Sequence, residues 1–157
     1  MEKQQWVIRP MELKDVDQVH TIETQVFTLP WTKGAFLQEL TQNQMAAYFV
    51  LVNGSDGNEI VGYVGTWKVV DEAHITTIAV AKRYQGKGLG GMLLERAMVE
   101  MIAVGVVRMT LEVRISNVRA LSMYRQYGFK EAGIRKRYYS DNQEDAIIMW
   151  AELNGDE

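Results

Sequence analysis

The sequence predicts a mixed-sheet α/β domain, and three observations carry that prediction. Short β-rich runs come first, at residues 6–9, 46–53, 60–70 and 73–80, most of them joined by turn signals. A glycine-rich loop, Gln85-Gly86-Lys87-Gly88-Leu89-Gly90, then opens directly into a helical pattern. From there strands and helices alternate to the end. Hairpins followed by strand–helix–strand crossovers give a single domain over residues 1–157, with a mixed, mostly antiparallel sheet of seven strands flanked by about four helices.

Each element has its own warrant. Pro10 ends the first strand, and Val16, Val19, Ile22 and Val26 then recur on one helical face. His20 lies beside that face and reads as structural. Phe27-Thr28-Leu29-Pro30-Trp31 is an apolar loop, and Thr32 can cap a second helix running to about Leu40. Gly54-Ser55-Asp56-Gly57-Asn58 reads as a hairpin turn, and Asp71-Glu72 turns the chain again, so residues 46–80 form an antiparallel meander. Leu89, Leu93, Ala97, Met101 and Val104 make a helical stripe that Gly105 stops. Residues 108–113 form a strand, Ser116 or Asn117 caps a helix through Tyr127, and Gly128 closes it. Residues 129–137 and 145–153 are the last two strands, joined by a polar loop over 140–144.

Composition bounds the function. Hydrophobic residues make up 47% and charged residues 24%, the balance of a globular protein. No apolar run of about 18 residues occurs and the start is too polar for a secretory signal, so a cytoplasmic address without membrane contact is expected. Cysteine is absent and the histidines are His20 and His74, which argues against a metal site, a thiol nucleophile or a Ser-His-Asp triad. A net charge of −3 and a pI near 5.5 disfavour direct nucleic-acid binding and tolerate a basic peptide or amine as substrate. Arg135-Lys136-Arg137 reads as a solvated strand end, and the nine methionines as core filler.

Three groups of residues bear on chemistry. Glycines at 86, 88 and 90 let the backbone approach a ligand closely where a helix begins, and that end of a helix suits a phosphate or pyrophosphate. Gly88 follows Lys87 where a Walker loop needs Ser or Thr, and the glycine spacing is not that of a dinucleotide fingerprint. Glu112 sits in Met109-Thr110-Leu111-Glu112-Val113, on the strand face opposite the core. Two readings are open: a solvated carboxylate paired with Arg114, or a general base. Asn117 and Tyr124 are likewise a helix cap and a packed ring, or parts of a site. Asp141, Glu144 and Asp145 either build a polar turn or attract a basic peptide.

Taken together, the loop and the pattern Asn117-x-x-Ala120-x-x-x-Tyr124-x-x-x-Gly128-Phe129 resemble the GCN5-related N-acetyltransferases over nearly the whole chain. Within that family the chain is most similar to the RimI-type branch, which acetylates the N-terminal alanine of a small-subunit ribosomal protein. The closer match lies in residues 27–31, Leu111-Glu112-Val113-Arg114, Arg135-Lys136-Arg137-Tyr138-Tyr139 and residues 144–149. The resemblance implies acetyl-CoA as co-substrate, with no metal, and the N-terminal segment of a protein as partner. It implies that Ile78, Ala79 and Val80 pair with the pantetheine arm along an exposed strand edge, and that Gln85, Gly86, Lys87, Gly88, Leu89, Gly90 and Gly91 hold the pyrophosphate. Asn117 would contact the cofactor arm, Glu112 would accept the amine proton and Tyr124 would protonate the departing thiolate. Phe27, Trp31, Tyr138 and Tyr139 would wall the peptide slot. A free α-amine, with a pKa near 7.7–8.0, is about a tenth neutral at pH 7, whereas a lysine amine carries a burden larger by about 3 kcal/mol. Alternative acceptors are lysine side chains, polyamines or small amines. Alternative classes are a non-catalytic acyl-CoA-binding module and an RNA- or ribosome-binding accessory protein.

Overall fold

A strand that ends in proline sets the edge of the sheet. In the computed structural model, which describes residues 5–56 and 58–153, β1 is Trp6–Pro10 and runs antiparallel to β2, Ala46–Asn53, with Pro10 opposite Phe49. Pro10 donates no backbone hydrogen bond, a loss that an edge strand tolerates. β3, Glu59–Val69, continues the meander beside β2, with a register shift between Leu51 and Val52. The predicted hairpin turn is a short 3-10 turn at Gly54–Asp56, and Gly57 lies outside the described residues.

β4 is Glu72–Val80, β5 Arg108–Arg114, β6 Lys130–Arg135 and β7 Ala146–Glu152. The seven strands form one sheet in the order β1-β2-β3-β4-β5-β7-β6. β4 and β5 run parallel, while β7 is antiparallel to both β5 and β6. Parallel neighbours need a crossover. Helix α3, Leu89–Ala103, provides it and ends where Gly105 takes a φ of 93°. The last two strands are shorter than the sequence pattern suggests: β6 stops at Arg135, and Arg137 has a φ of 52°, outside the extended region.

The helices follow their start and stop signals. α1 is Val16–Val26, with Val16, Val19 and Ile22 buried, and α2 is Lys33–Thr41, capped where Ala35 N donates to Thr32 Oγ1 at 3.1 Å. α4 is Val118–Gln126, capped by Asn117. Its far end closes on Gly128, φ 95°, with Phe129 N donating to Tyr124 O at 3.0 Å and Gly128 N to Arg125 O at 3.1 Å. That pair of bonds is the Schellman pattern, which needs a left-handed residue at the glycine position.

The chain gathers into two compact units. One ends at Trp67 and resumes over Thr76–Ala97; the other comprises Lys68–Ile75 and the chain from Met98 onward. In the first, Val19, Ile22, Phe36, Tyr48 and Tyr63 share a core, with Phe36 edge-on to Tyr63 at 6.0 Å. In the second, β5 buries Met109, Leu111 and Val113, and β7 buries Met149 and Ala151.

Gly65 of β3 shows how tightly the first unit is packed. A Cβ built there would lie 2.3 Å from the Tyr48 ring and 2.8 Å from Thr76 Oγ1. Gly65→Ala should therefore lower the unfolding free energy by about 1–3 kcal/mol, the usual cost of overpacking, read as a fall in the denaturation midpoint at unchanged m-value.

Candidate active site

The first unit presents a backbone cradle. β4 ends in Ile78, half-buried, and the buried Ala79 and Val80. β4 is hydrogen-bonded to β5 only from Glu72 to His74, so that ladder stops short of Ile78, Ala79 and Val80. Past the strand, Gln85 Nε2 donates to Val80 O at 2.9 Å and straps the loop to the strand end. Gly86 and Gly88 have φ values of 85° and 81°, where a Cβ is disfavoured, and a Cβ at Gly88 would meet nothing within 4 Å. Gln85, Gly86, Lys87 and Gly88 are exposed.

Helix α3 starts at the end of this open loop. Met92 N donates to Gly88 O at 3.2 Å, so the amides of Leu89, Gly90 and Gly91 precede the first helical bond and point out of the helix start. The Leu89 side chain is buried, which leaves its N–H as what it can offer a ligand. A turn of unpaired donors at the positive end of a 15-residue helix can hold a pyrophosphate, and the glycines leave room for one.

The apolar loop of residues 27–31 is pinned from beneath. Glu23, on the buried face of α1, is 2% exposed. It accepts Tyr63 O–H at 2.5 Å on one oxygen and Trp31 N–H at 3.0 Å on the other. Burial and the Glu23 charge push the Tyr63 hydroxyl pKa up, so it stays a donor. Phe27 and Trp31 are half-buried against the core, with Trp31 5.3 Å from the Phe36 ring. Both side chains thus serve the packing and leave a face of the loop outward.

The second unit assembles the ionisable groups. Burial alternates along β5 and places Thr110, Glu112 and Arg114 on one face, as the sequence indicated. Glu112 is not paired with Arg114. Its Oε1 lies 2.7 Å from His74 Nε2, and its Oε2 is 3.7 Å from Arg135 Nε on β6. Parallel pairing makes this contact: His74 is opposite Thr110, two residues before Glu112. The His74 hydrogen bond, followed by the charges of His74 and Arg135, holds the Glu112 carboxyl below the usual carboxylate range despite partial burial. Glu112 is therefore ionised at neutral pH.

Tyr124 lies on α4 with its ring 5.8 Å from Phe129 and is 6% exposed. Burial, and then proximity to Tyr139, raise its hydroxyl pKa well above the ordinary tyrosine value. Among the described residues that hydroxyl has no hydrogen-bond partner, and it is not among the fully enclosed unpartnered groups. It is a protonated donor that reaches open space. Asn117 Oδ1 accepts from Ala120 N at 3.2 Å, so this side chain caps α4.

Arg114 organises the remaining wall. Its guanidinium donates to Asp141 at 2.7 Å and Glu144 at 3.4 Å, and lies 4.0 Å from the Tyr139 ring centroid. Tyr139 packs edge-on against Tyr138 at 5.0 Å, and burial pushes its hydroxyl up to about 12. Asp145 accepts from Arg137 N at 2.8 Å and Glu144 from Ser116 N at 2.7 Å. The three acids thus build the turn between β6 and β7, as the polar-turn reading has it. Among the described residues no three His, Cys, Asp or Glu side chains converge on a common point, and no helix is long and apolar enough to cross a membrane.

Sequence reasoning assigned no role to His74. The signal was present in the alternation of β4, where Ala73, Ile75, Thr77 and Ala79 are buried and His74 shares the other face with Thr76 and Ile78. Which residue it meets depends on a strand pairing between positions 38 apart in sequence.

Comparison with known proteins fixes the class. The profile of the Acetyltransferase (GNAT) family matches residues 16–129, and the chain belongs to that family. It is 44% identical to a Bacillus subtilis (strain 168) protein provisionally named a ribosomal protein bS18-alanine N-acetyltransferase, over 94% of this chain and 95% of that one. It is 38% identical to the ribosomal protein bS18-alanine N-acetyltransferase of Escherichia coli (strain K12), over 90% and 94% of the two chains. The crystal structure of the ribosomal-protein-S18-alanine N-acetyltransferase from Escherichia coli superposes with a TM-score of 0.86 at 35% identity, covering 95% of this chain and 94% of that one.

Arg114 gives a test of the wall. Arg114→Ala should speed amide hydrogen exchange at Tyr139 and Gln143 by about tenfold or more, equivalent to roughly 1–2 kcal/mol of local stability, while β5 amides stay protected. Arg114→Lys should restore little of it, because a point charge cannot bridge two carboxylates and stack on a ring together.

Proposed function

We propose that this acetyltransferase moves the acetyl group of acetyl-CoA onto the N-terminal α-amine, preferentially of alanine, of a small-subunit ribosomal protein. The similarity to the bS18-alanine acetyltransferases over nine-tenths of the chain is the observation that carries this reading. The residues available in each unit are consistent with it.

Acetyl-CoA brings the acetyl group as a thioester and a pyrophosphate as a handle. The amides of residues 86–91 hold that handle, Ile78, Ala79 and Val80 offer backbone groups to the pantetheine arm, and Asn117 adds a side-chain contact. Phe27 and Trp31 in the first unit, and Tyr138 and Tyr139 in the second, are the side chains offered to the peptide terminus.

Glu112 is the proton acceptor. Its carboxyl is too weak a base to strip an ammonium, whose pKa is near 8. It does not have to, because about a tenth of α-amines are neutral at pH 7, and the nitrogen becomes acidic only as its bond to the acetyl carbon forms. The carbon–nitrogen bond then forms, the carbon–sulfur bond breaks, the amine proton passes to Glu112, and the CoA sulfur takes the Tyr124 proton. Tyr124 suits that task because burial keeps its hydroxyl protonated while the group itself remains unpartnered.

Two measurements test the proposal. With acetyl-CoA and a peptide carrying a free N-terminal alanine, CoA thiol should be released, and an N-blocked twin with an internal lysine should give none; turnover of the blocked peptide overturns the α-amine assignment. Glu112→Gln should lower kcat by about 10²–10⁴-fold with acetyl-CoA affinity unchanged by calorimetry, and Tyr124→Phe should also lower kcat rather than raise the acetyl-CoA Kd. Wild-type kcat in both variants would remove these residues from the chemistry.

A further inference from the structure

We propose that His74 is a positioning residue for Glu112, holding one carboxylate oxygen so that the other is turned to accept the amine proton. The proposal rests on the reading of Glu112 as proton acceptor and goes a step beyond it.

Geometry carries it. Nε2 of His74 lies 2.7 Å from Oε1 of Glu112, and an ionised carboxylate only accepts, so the ring nitrogen bears the hydrogen. The β4–β5 register fixes both Cα positions. The Glu112 side chain is 14% exposed, so it has little solvent to swing into, while His74 at 33% remains in reach of water. With Oε1 engaged, Oε2 is the oxygen left to face an amine.

The surroundings define the electrostatics. From β6, Arg135 Nε stands 3.7 Å from Oε2. From the turn between β6 and β7, Tyr139 senses the Glu112 charge, which helps raise its hydroxyl. On β5 itself Arg114 is occupied by Asp141 and Glu144.

The test is kcat and the KM for acetyl-CoA, measured with saturating alanine peptide, for the wild type, His74→Ala and His74→Gln. A glutamine amide can donate from the place of Nε2. His74→Ala should lose about 10–100-fold in kcat with the KM for acetyl-CoA within about twofold. His74→Gln should recover most of kcat. Wild-type kcat in His74→Ala overturns the proposal; so does a folded His74→Gln as impaired as His74→Ala. If His74→Ala fails to fold, the glutamine variant decides alone. Full activity in Glu112→Gln sinks the underlying reading and this proposal together, whereas an inactive Glu112→Gln beside an unimpaired His74→Ala sinks the role of His74 alone.

Discussion

β5 is hydrogen-bonded on both sides, parallel to β4 from Arg108 to Thr110 and antiparallel to β7 from Arg108 to Arg114. Because successive side chains on a strand point to opposite faces, this double pairing decides which residues are core and which are chemistry. Met109, Leu111 and Val113 go inward; Thr110, Glu112 and Arg114 go to the other face. A slip of one residue would place a carboxylate and a guanidinium in the core and three apolar side chains in the site. The penalty for that exchange, two buried charges at once, keeps Glu112 within reach of His74 and Arg114 over Tyr139.

Two carboxylates of the fold are handled differently. Glu23 is enclosed and receives one neutral donor on each oxygen, from Tyr63 and from the Trp31 backbone. Its capacity is used for architecture. Glu112 is held by an imidazole on one oxygen and approached by a guanidinium on the other, and it keeps a fraction of its surface open. The contrast separates a carboxylate that fastens elements from one that can exchange a proton.

Much of this was legible in the chain. Periodicities of 2 and 3.6, the cap at Thr32, the glycine stop at Gly128 and the meander before the glycine loop locate all seven strands and four helices, and the ends err by one or two residues. The exposed glycine loop and the outward face of β5 were equally readable, since both depend on local pattern. What the sequence does not encode locally is pairing. The chain left Glu112 open between a partner for Arg114 and a general base; in the fold Asp141 and Glu144 hold the guanidinium and His74 holds the carboxylate. Nor does the sequence show that β5 returns through α3 to pair with β4 over Glu72–His74 alone.

The tie between Glu23 and the loop of residues 27–31 has a consequence for how such a protein can diversify. Trp31 is bound through its backbone to a buried carboxylate that also holds Tyr63, so the loop's path is set by the core, whatever the surface demands. Leu29 between them is exposed. Variation in what the loop touches is therefore cheap at that position and expensive at Glu23 and Tyr63, where a new side chain would leave buried polar groups unanswered. The loop can acquire new preferences by changing its outward residues while its backbone stays in place.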